Sequence, residues 1–556
     1  MLNNRMKSII IGLMGLCLLS PQAQTFAETA TITTVAPAIT STTVTSDKML
    51  KVGLQYGTVK DTSPLIKSDS GFKFGIYESD LFLPLLDFQT SKELVIYKNG
   101  YSENESLITS PTGSVPLANG KYHIQIGATQ PTYDQMRFIL DKVRSVDPTA
   151  FPAYDGGWRV YIGAYYTEAQ YNESFTSLTS KMMPFDISRA PFNYSAFMVL
   201  ENNAVKLLFS TTDTNFAFQS YTEGSTISYN KYKYRGGLVF KRFKDSDPTI
   251  INFLPVQQYL YGVLPYEISP LWHIEAQKAQ AIAARNYAMT NLNKHKKHGF
   301  DVCNTVDCQM YVGANVEKPL SNQAVDLTKG IYLKYNGKLA NTFYHSNSGG
   351  RTENSENIWT TPTPYLVGVD DPYSIGSPND VWTTAYTAAQ LTQFLIAKKM
   401  DIGDVTDVFV EQYSVNGRSL KTTFVGTKGR VSFDKDKIRS VFPESKVKTN
   451  YFTIVKSGGT PIVTSEGVSN VTTPNLVVQS AEQTSIINTS NPVAVINENT
   501  SSVLQTGSAL YQINGKGWGH GIGMSQWGSK KMAELGFTYD QILTYYYQNT
   551  YLEITN

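Results

Sequence analysis

Residues 515–528 read GKGWGHGIGMSQWG, in which six glycines enclose two tryptophans and one histidine. Repeated glycine lets a backbone approach a ligand or a neighbouring strand closely. The glycines superficially satisfy a dinucleotide-binding pattern, but no βαβ unit with an acidic residue about 20 positions on surrounds them, which argues against nucleotide binding. The stretch therefore predicts a tight turn, followed by a helix over MSQWGSKKMAEL.

Three stretches upstream need to be explained together with this turn. They are LPVQQYLYGVLPYEISP (254–270), EAQKAQAIAARNYA (275–288) and YHSNSGGRTENSENIW (344–359). The second is dense in good helix formers, and Ser269-Pro270 is a suitable helix start. Alternating aromatic residues between about 192 and 252 predict antiparallel strands. The fold class is thus α+β: a mixed, β-rich domain with a few helices lining a cleft.

In order and spacing, the four stretches closely resemble the SpoIID/LytB family. The resemblance covers residues 185–556 if the Ser/Thr/Asn-rich stretch 456–507 is a low-complexity insertion. The stretch MLKVGLQYG, at the start of a β segment over residues 49–118, resembles that domain's usual first strand. This segment is therefore predicted to be the first part of the same catalytic domain.

Residues 119–184 are predicted to form a separate small module. YHIQIGA (122–128) and WRVYIGA (158–164) repeat at an offset of 36 residues, and a predicted helix follows each, over about 132–146 and 167–182. The resulting βαββαβ pattern resembles the SPOR peptidoglycan-binding module. That resemblance implies binding of glycan strands stripped of stem peptides; a ferredoxin-like spacer without a ligand is the alternative.

The SpoIID/LytB resemblance implies non-hydrolytic lytic cleavage of peptidoglycan glycan strands that lack stem peptides. The products would carry 1,6-anhydro-N-acetylmuramic acid ends. The family's acidic residue follows a tyrosine-rich strand, here YGVLPYEIS, so Glu267 inherits the catalytic role. One carboxyl suffices if the sugar's own 6-hydroxyl attacks, because Glu267 then acts first as acid and afterwards as base.

Glu267 needs a raised pKa for this role, which we expect from apolar neighbours such as Leu264, Pro265 and Tyr266. The alternative is a surface glutamate just before a helix, whose dipole would favour the ionised form.

Further residues are predicted to bind substrate. Lys278 and Arg285 lie two helical turns apart on one face and could hold a muramic acid carboxylate, or could instead pair with acids such as Glu275 and support the cleft. His345, Ser346 and Ser348 follow a strand and could bond sugar hydroxyls, with a purely structural turn as the alternative. No nucleophile elbow supports acyl transfer by this Ser-His pair.

The glycine-rich turn supplies three more candidates. Trp518 is predicted to be a sugar platform or, equally, a core residue. His520 and Gln526 are predicted to be polar contacts on one wall of the glycan cleft.

The stretch HKKHGFDVCNTVDCQ (295–309) contains the chain's last two cysteines. Family members can carry zinc at a C-x3-H-C motif, but Asp307 stands here in place of that histidine. Zinc could be held by Cys303, Cys308, Asp307 and His298, or by His295 in its place. A disulfide between Cys303 and Cys308 is the alternative favoured by an exported setting. No cofactor is required for the chemistry; the zinc would be structural.

The N-terminus predicts export. Basic residues precede a thirteen-residue apolar run, SIIIGLMGLCLLS, and TFA ends at Ala27, so residues 1–27 read as a cleaved signal peptide and 28–48 as a Thr-rich linker. The run is shorter than the roughly 20 residues of a membrane span, which predicts a secreted, cell-wall protein without a permanent anchor. The net charge of +2 argues against a nucleic-acid partner. A non-catalytic enhancer of a cell-wall amidase is the rival function, with that amidase as partner.

Overall fold

The computed structural model describes residues 48–58, 62–98, 122–191, 195–211, 214–243, 247–359, 361–443, 446–457 and 510–555, and six short strands between residues 460 and 504. The predicted signal peptide and the linker up to residue 47 lie outside these residues. So do 99–121, the end of the predicted N-terminal segment and the start of the predicted module. Among the described helices, none is long and apolar enough to cross a membrane.

The strands and helices are numbered along the chain. The first strands are β1 Met49–Gln55, β2 Leu65–Lys67, β3 Phe72–Glu78, β4 Leu81–Phe88, β5 Glu93–Lys98, β6 Tyr122–Gln130, β7 Phe151–Tyr154, β8 Trp158–Tyr165, β9 Ile187–Arg189, β10 Ala196–Glu201, β11 Ala204–Ser210, β12 Phe216–Ser220, β13 Ile227–Tyr229, β14 Tyr232–Tyr234, β15 Gly237–Lys241 and β16 Thr249–Pro255. The later strands are β17 Val302–Cys303, β18 Ile331–Tyr335, β19 Lys338–Leu339, β20 Tyr344–His345, β21 Val381–Thr387, β22 Val405–Tyr413, β23 Ser419–Gly426, β24 Gly429–Asp434, β25 Phe452–Ser457, β26 Thr460–Thr464, β27 Gly467–Val471, β28 Asn475–Gln479, β29 Thr484–Asn488, β30 Val493–Ile496, β31 Ser501–Leu504, β32 Leu510–Lys516, β33 Met524–Ser525 and β34 Tyr551–Ile554. The α-helices are α1 Tyr133–Arg144, α2 Glu168–Thr179, α3 Val256–Glu267, α4 Ile274–Thr290, α5 Pro319–Leu327, α6 Ala388–Ala397, α7 Gln526–Glu534 and α8 Tyr539–Tyr546. The result is the mixed, β-rich α+β fold that the sequence predicts.

A seven-stranded sheet contains both β1, the first strand, and β16, the strand that leads into α3. Its order is β17-β1-β16-β15-β12-β3-β4. Strand β1 pairs antiparallel with β16, more than 190 residues further along the chain, and parallel with β17. The stretch MLKVGLQYG therefore shares a sheet with the strand that leads into α3.

A ten-stranded sheet contains the predicted βαββαβ unit, in the order β14-β13-β2-β5-β10-β11-β7-β8-β6-β9. The four strands β7-β8-β6-β9 and helices α1 and α2 form the unit, and Thr132 and Thr167 are the N-caps of its helices. The flanking strands β5 and β10 pair with each other. In chain order, the unit is therefore inserted between β5 and β10, which lie next to each other in the sheet.

Helix α3 differs from the sequence prediction in type, and helix α4 differs in where it begins. The tyrosine-rich segment before Glu267 is helix α3 and not a strand. Helix α4 begins at Ile274, with His273 as its N-cap, and not at Ser269-Pro270. The Ser269 hydroxyl and carbonyl oxygens accept the N–H groups of Leu271 and Trp272, so this residue closes a separate turn.

The C-terminal part brings distant motifs together. Strand β20 of YHSNSGG pairs parallel with β33 of GMSQWG. Strands β25 and β32 pair from Phe452↔Gly515 to Ser457↔Leu510, so the predicted insertion leaves and returns at one end of this pair. Its described strands form three hairpins, β26-β27, β28-β29 and β30-β31.

Candidate functional site

Glu267 is the last residue of α3, and its side chain is half-buried. Its carboxyl accepts hydrogen bonds from the Gln526 amide (Nε2 to Oε2, 3.4 Å), the Tyr344 hydroxyl and the backbone N–H of Met310. Burial raises the pKa of Glu267, and the three hydrogen bonds oppose the rise. The helix C-terminus, with its partial negative charge, also disfavours a carboxylate.

The surroundings of Glu267 correct two details of the sequence argument. The alternative of a surface glutamate before a helix is wrong, because the residue ends α3 and α4 starts seven residues later. The desolvating neighbours are also different from those expected, since Tyr266 is 51% exposed. Tyr259 is buried and Tyr344 is half-buried, and both lie close enough for the Glu267 charge to raise their own pKa values.

A chain of hydrogen bonds fixes the donor to the Glu267 carboxyl. The Tyr259 hydroxyl donates to Gln309 Oε1 (3.1 Å), and Gln309 Nε2 donates to the Tyr344 hydroxyl oxygen (2.9 Å). Burial raises the pKa of Tyr344 well above its usual value. Tyr344 therefore keeps its proton and serves as a fixed donor to Glu267.

Glu267 opens into a cavity of about 610 Å³. The lining residues are Glu267, Tyr287, Asn291, Lys294, Val306, Asp307, Cys308, Gln309, Met310, Phe343, Tyr344, Trp359 and His520. Among them, Asp307 is the only other carboxylate, and it is paired with Lys294 (3.2 Å) and His295 (3.4 Å). The described lining thus offers a single unpaired acid.

His520 and Gln526 lie at Glu267, as predicted from the glycine-rich turn. Gln526 contacts the carboxyl directly, and His520 lines the cavity against Phe343 and Trp359. Burial lowers the pKa of His520 to about 3, with smaller contributions from two arginines. Its Nδ1 accepts the Ile522 N–H (3.0 Å), so the ring is neutral and fixed in orientation.

Trp518 lies outside this cavity and is 39% exposed. The ammonium of Lys448 stands 5.4 Å from its ring centre. The alternative of a core residue is therefore wrong, and the ring face remains on the surface.

The glycines of the turn serve close approach to neighbouring protein rather than to a ligand. A Cβ on Gly523 would stand 2.1 Å from the Phe343 carbonyl oxygen, and one on Gly519 would stand 2.7 Å from the Cβ of His345. Both positions also have positive φ, at 68° and 111°. They allow the turn to lie directly against the YHSNSGG strand.

His345 and Ser348 are buried and do not reach the cavity. His345 Nδ1 bonds the Ile522 carbonyl (3.1 Å), and burial lowers the pKa of the ring well below its usual value. Ser348 donates to Asp371 Oδ2 (2.6 Å). Ser346 is half-buried, and its carbonyl accepts the Trp527 N–H (3.0 Å). These contacts fit the structural turn that the sequence left as the alternative.

Lys278 and Arg285 also have supporting contacts. Lys278 pairs with Glu275 (2.7 Å). Arg285 is 1% exposed, and its guanidinium donates to Gln257 Oε1 and to the carbonyls of Val325 and Ile331. Arg285 therefore does not reach the cleft, and its role is the supporting one.

Four possible ligands converge at the cysteine pair. His295, Cys303, Asp307 and Cys308 place their ligand atoms within 4.8 Å of one another. The histidine is His295, whose Nε2 lies 3.3 Å from Cys308 Sγ, so the choice of His298 was wrong. Both thiols are free, without the alternative disulfide. Two sulfurs, one imidazole and one carboxylate form a donor set that suits tetrahedral zinc.

Several residues of the site were missed from the sequence, although two of them stand in quoted motifs. Tyr344 precedes His345, and Trp359 ends the same motif. Successive strand residues point to opposite faces, so when Tyr344 faces Glu267, His345 faces the interior. The alternating direction of side chains along this strand therefore indicates that only one of these two neighbours can face the site.

Comparison with known proteins matches the part of the chain that holds Glu267. Residues 244–335 match the SpoIID family, described as stage II sporulation protein. An amidase enhancer of Bacillus subtilis (strain 168) is 33% identical over 309 residues, which is 53% of this chain but only 40% of that relative. An uncharacterized protein of Brachyspira hyodysenteriae (strain ATCC 49526 / WA1) is 32% identical over 58% of this chain and 73% of its own length. Stage II sporulation protein D of B. subtilis (strain 168) is 28% identical over 55% of this chain and 77% of its own.

Proposed function

The chain belongs to the SpoIID family, and from that premise we propose that it is a cell-wall enzyme that cleaves peptidoglycan glycan strands by lytic transglycosylation. The observation that carries the proposal is the single half-buried carboxyl of Glu267, with a raised pKa, at the wall of the cavity. The substrate is a strand without stem peptides, and the site of action is outside the cytoplasm.

In the first step, protonated Glu267 donates its proton to the glycosidic oxygen as the bond from that oxygen to the anomeric carbon breaks. The carboxylate then takes the proton of the same sugar's 6-hydroxyl, whose oxygen bonds the anomeric carbon. The proton returns to Glu267, no water is consumed, and the new end is a 1,6-anhydro sugar. A second carboxylate, which a hydrolase normally requires, has no task in this sequence.

The surrounding side chains prepare Glu267 for both steps. Burial favours its protonated form, and the Tyr344 hydroxyl and the Gln526 amide stabilise the carboxylate once it forms. Because Tyr344 is itself held by Gln309, the donor stays in place while Glu267 changes protonation state. The pKa is thus set between two opposing effects, as acid-base catalysis requires.

Zinc at His295, Cys303, Asp307 and Cys308 would have a structural role. Asp307 and Cys308 line the same cavity as Glu267, and Met310, two residues on, donates its N–H to the carboxyl. A bound ion would fix this segment and, through it, the position of Glu267. The βαββαβ unit, β6 to β9 with α1 and α2, is proposed as a SPOR-like module that binds the same strands.

A second candidate function follows from the relative named amidase enhancer. In that case the chain would bind glycan strands and stimulate a cell-wall amidase without cleaving them. The two functions differ in their products.

The test is to incubate the mature protein with amidase-treated peptidoglycan and to look for anhydro-ended sugars by mass spectrometry. We expect them from the wild type and from Glu93→Gln, a control at an exposed glutamate. Glu267→Gln should lose about 10²–10⁴-fold in rate. Stimulation of an amidase without any anhydro product would reject the enzyme and favour the enhancer.

A further inference from the structure

Two tryptophans meet beside Glu267 but outside the cavity. Trp272 lies in the loop between α3 and α4, and Trp527 lies at the start of α7. Their ring centres are 5.0 Å apart with an interplanar angle of 55°. Both rings are half-buried, and neither lines the cavity. The pair is therefore a separate surface feature.

The pair is fixed to the catalytic residue from both sides. Trp527 directly follows Gln526, whose amide contacts the Glu267 carboxyl, and its backbone N–H is held by the Ser346 carbonyl. Trp272 lies five residues after Glu267 on a loop braced by Gln277, which donates to the Trp272 carbonyl (2.8 Å). The two rings are thus connected to Glu267 through Gln526 on one side and through the loop that follows α3 on the other.

Two apolar side chains close to Trp272 in the chain are open to solvent. Leu271 is 89% exposed, and Tyr266 is 51% exposed. Among the described residues, the one cation that stands over either ring is Lys530, 5.7 Å from the centre of the Trp527 ring, and its charge is paired with Glu534.

Both indole N–H groups are available to a ligand. Within the described residues, neither Trp272 nor Trp527 has a hydrogen bond from its indole nitrogen to protein, whereas the Trp382 indole donates to the Gly517 carbonyl (2.9 Å). An indole offers an apolar face and one polar edge. A pyranose ring has matching features, with C–H groups on its face and hydroxyls at its rim.

We infer that Trp272 and Trp527 form a second sugar-binding platform, which holds a pyranose ring of the same glycan strand whose scissile bond lies at Glu267. This inference rests on the proposed function for the identity of the strand. The cavity and the platform then lie on a continuous path, with Gln526 between them. Recognition of a strand rather than a short fragment follows, because only a longer substrate reaches both places.

The direct test uses the full mature chain carrying Glu267→Gln, labelled with 15N on its tryptophan side chains and titrated with stem-peptide-free glycan oligosaccharides. We expect saturable shifts of the Trp272 and Trp527 indole N–H signals in nuclear magnetic resonance spectra, each assigned by substitution. The Trp382 signal serves as an internal reference. Binding that leaves both indole signals unmoved would overturn the inference.

Variants at position 527 test the platform without relying on catalysis. In the Glu267→Gln background, Trp527→Ala should weaken binding of long oligosaccharides at this site about tenfold, which corresponds to about 1.4 kcal/mol. Trp527→Phe should retain most of the affinity, and Tyr413→Ala, at an exposed aromatic of β22, should change nothing. Equal affinity of Trp527→Ala and its parent would overturn the platform.

The proposed function is tested separately by the anhydro products of the wild type. Shifts at Trp272 and Trp527 without such products would reject the enzyme and keep the platform. Anhydro products without shifts of the two indole signals would support the enzyme and reject the platform.

Discussion

Replacing Arg285 by methionine should destabilise the fold without removing a substrate contact. The guanidinium is 1% exposed and donates to Gln257 Oε1 (3.2 Å) and to the Ile331 carbonyl (3.3 Å). Methionine fills a similar volume but donates nothing. These two acceptors would then be buried without their guanidinium donor, whereas the Val325 carbonyl keeps the Gln257 amide and the Thr328 hydroxyl as donors.

The size of the loss follows from those two acceptors. A buried polar group left unsatisfied costs about 1–3 kcal/mol, so the free energy of unfolding should fall by roughly 2–6 kcal/mol. The melting temperature should fall as well, by less per kcal/mol than in a smaller domain.

The assay is denaturant unfolding followed by circular dichroism, with substrate kinetics on the protein that remains folded. Lys278→Met is the matched control on the same helix. Its partly exposed pair with Glu275 predicts a loss of about 1 kcal/mol or less. An Arg285→Met protein of unchanged stability but with a raised KM for glycan would refute the supporting role and restore the substrate contact.

Three further predictions concern Glu267 and the cysteine cluster. Activity should fall as pH rises through the pKa of Glu267, which burial raises above the usual glutamate value; an unchanged rate across that pKa would contradict the acid role. The raised pKa also affects stability. Glu267 favours folding below its unfolded-state pKa, and this contribution is lost as pH rises through the folded-state pKa. Between these two pKa values, thermal melts should therefore show Glu267→Gln gaining stability relative to the wild type as pH rises. Metal analysis of the purified protein should find zinc, which His295→Ala should lose and His298→Ala should retain. Retention by His295→Ala, or two oxidised cysteines in a thiol titration of metal-free protein, would contradict the site.

Local patterns in the sequence predicted the elements of the fold well. Thr132 and Thr167 cap α1 and α2 next to the predicted starts, and the Thr538-Gln541 capping box opens α8. These features depend on neighbouring residues alone. The family resemblance implied a tyrosine-rich strand before Glu267, but the segment packs as helix α3 between the first sheet and α4. Packing against distant parts of the chain therefore determined that this segment is a helix.

The site was predictable in its motifs but not in the direction of each side chain. Glu267, His520 and Gln526 meet as expected. Arg285 does not join them, because helical spacing gives a shared face but does not say whether that face is turned to the cleft or to the interior. Likewise, the choice between His295 and His298 depended on which ring reaches the thiols, and no spacing rule shows that this is His295.

The most direct test of the account is the chemical nature of the new glycan ends. Mass spectrometry of stem-peptide-free strands treated with the wild-type protein should find 1,6-anhydro-N-acetylmuramic acid, with no incorporation of oxygen from 18O-labelled water, and Glu267→Gln should leave the strands intact. Reducing ends that carry the label, or equal cleavage by Glu267→Gln, would contradict a mechanism built on one carboxyl.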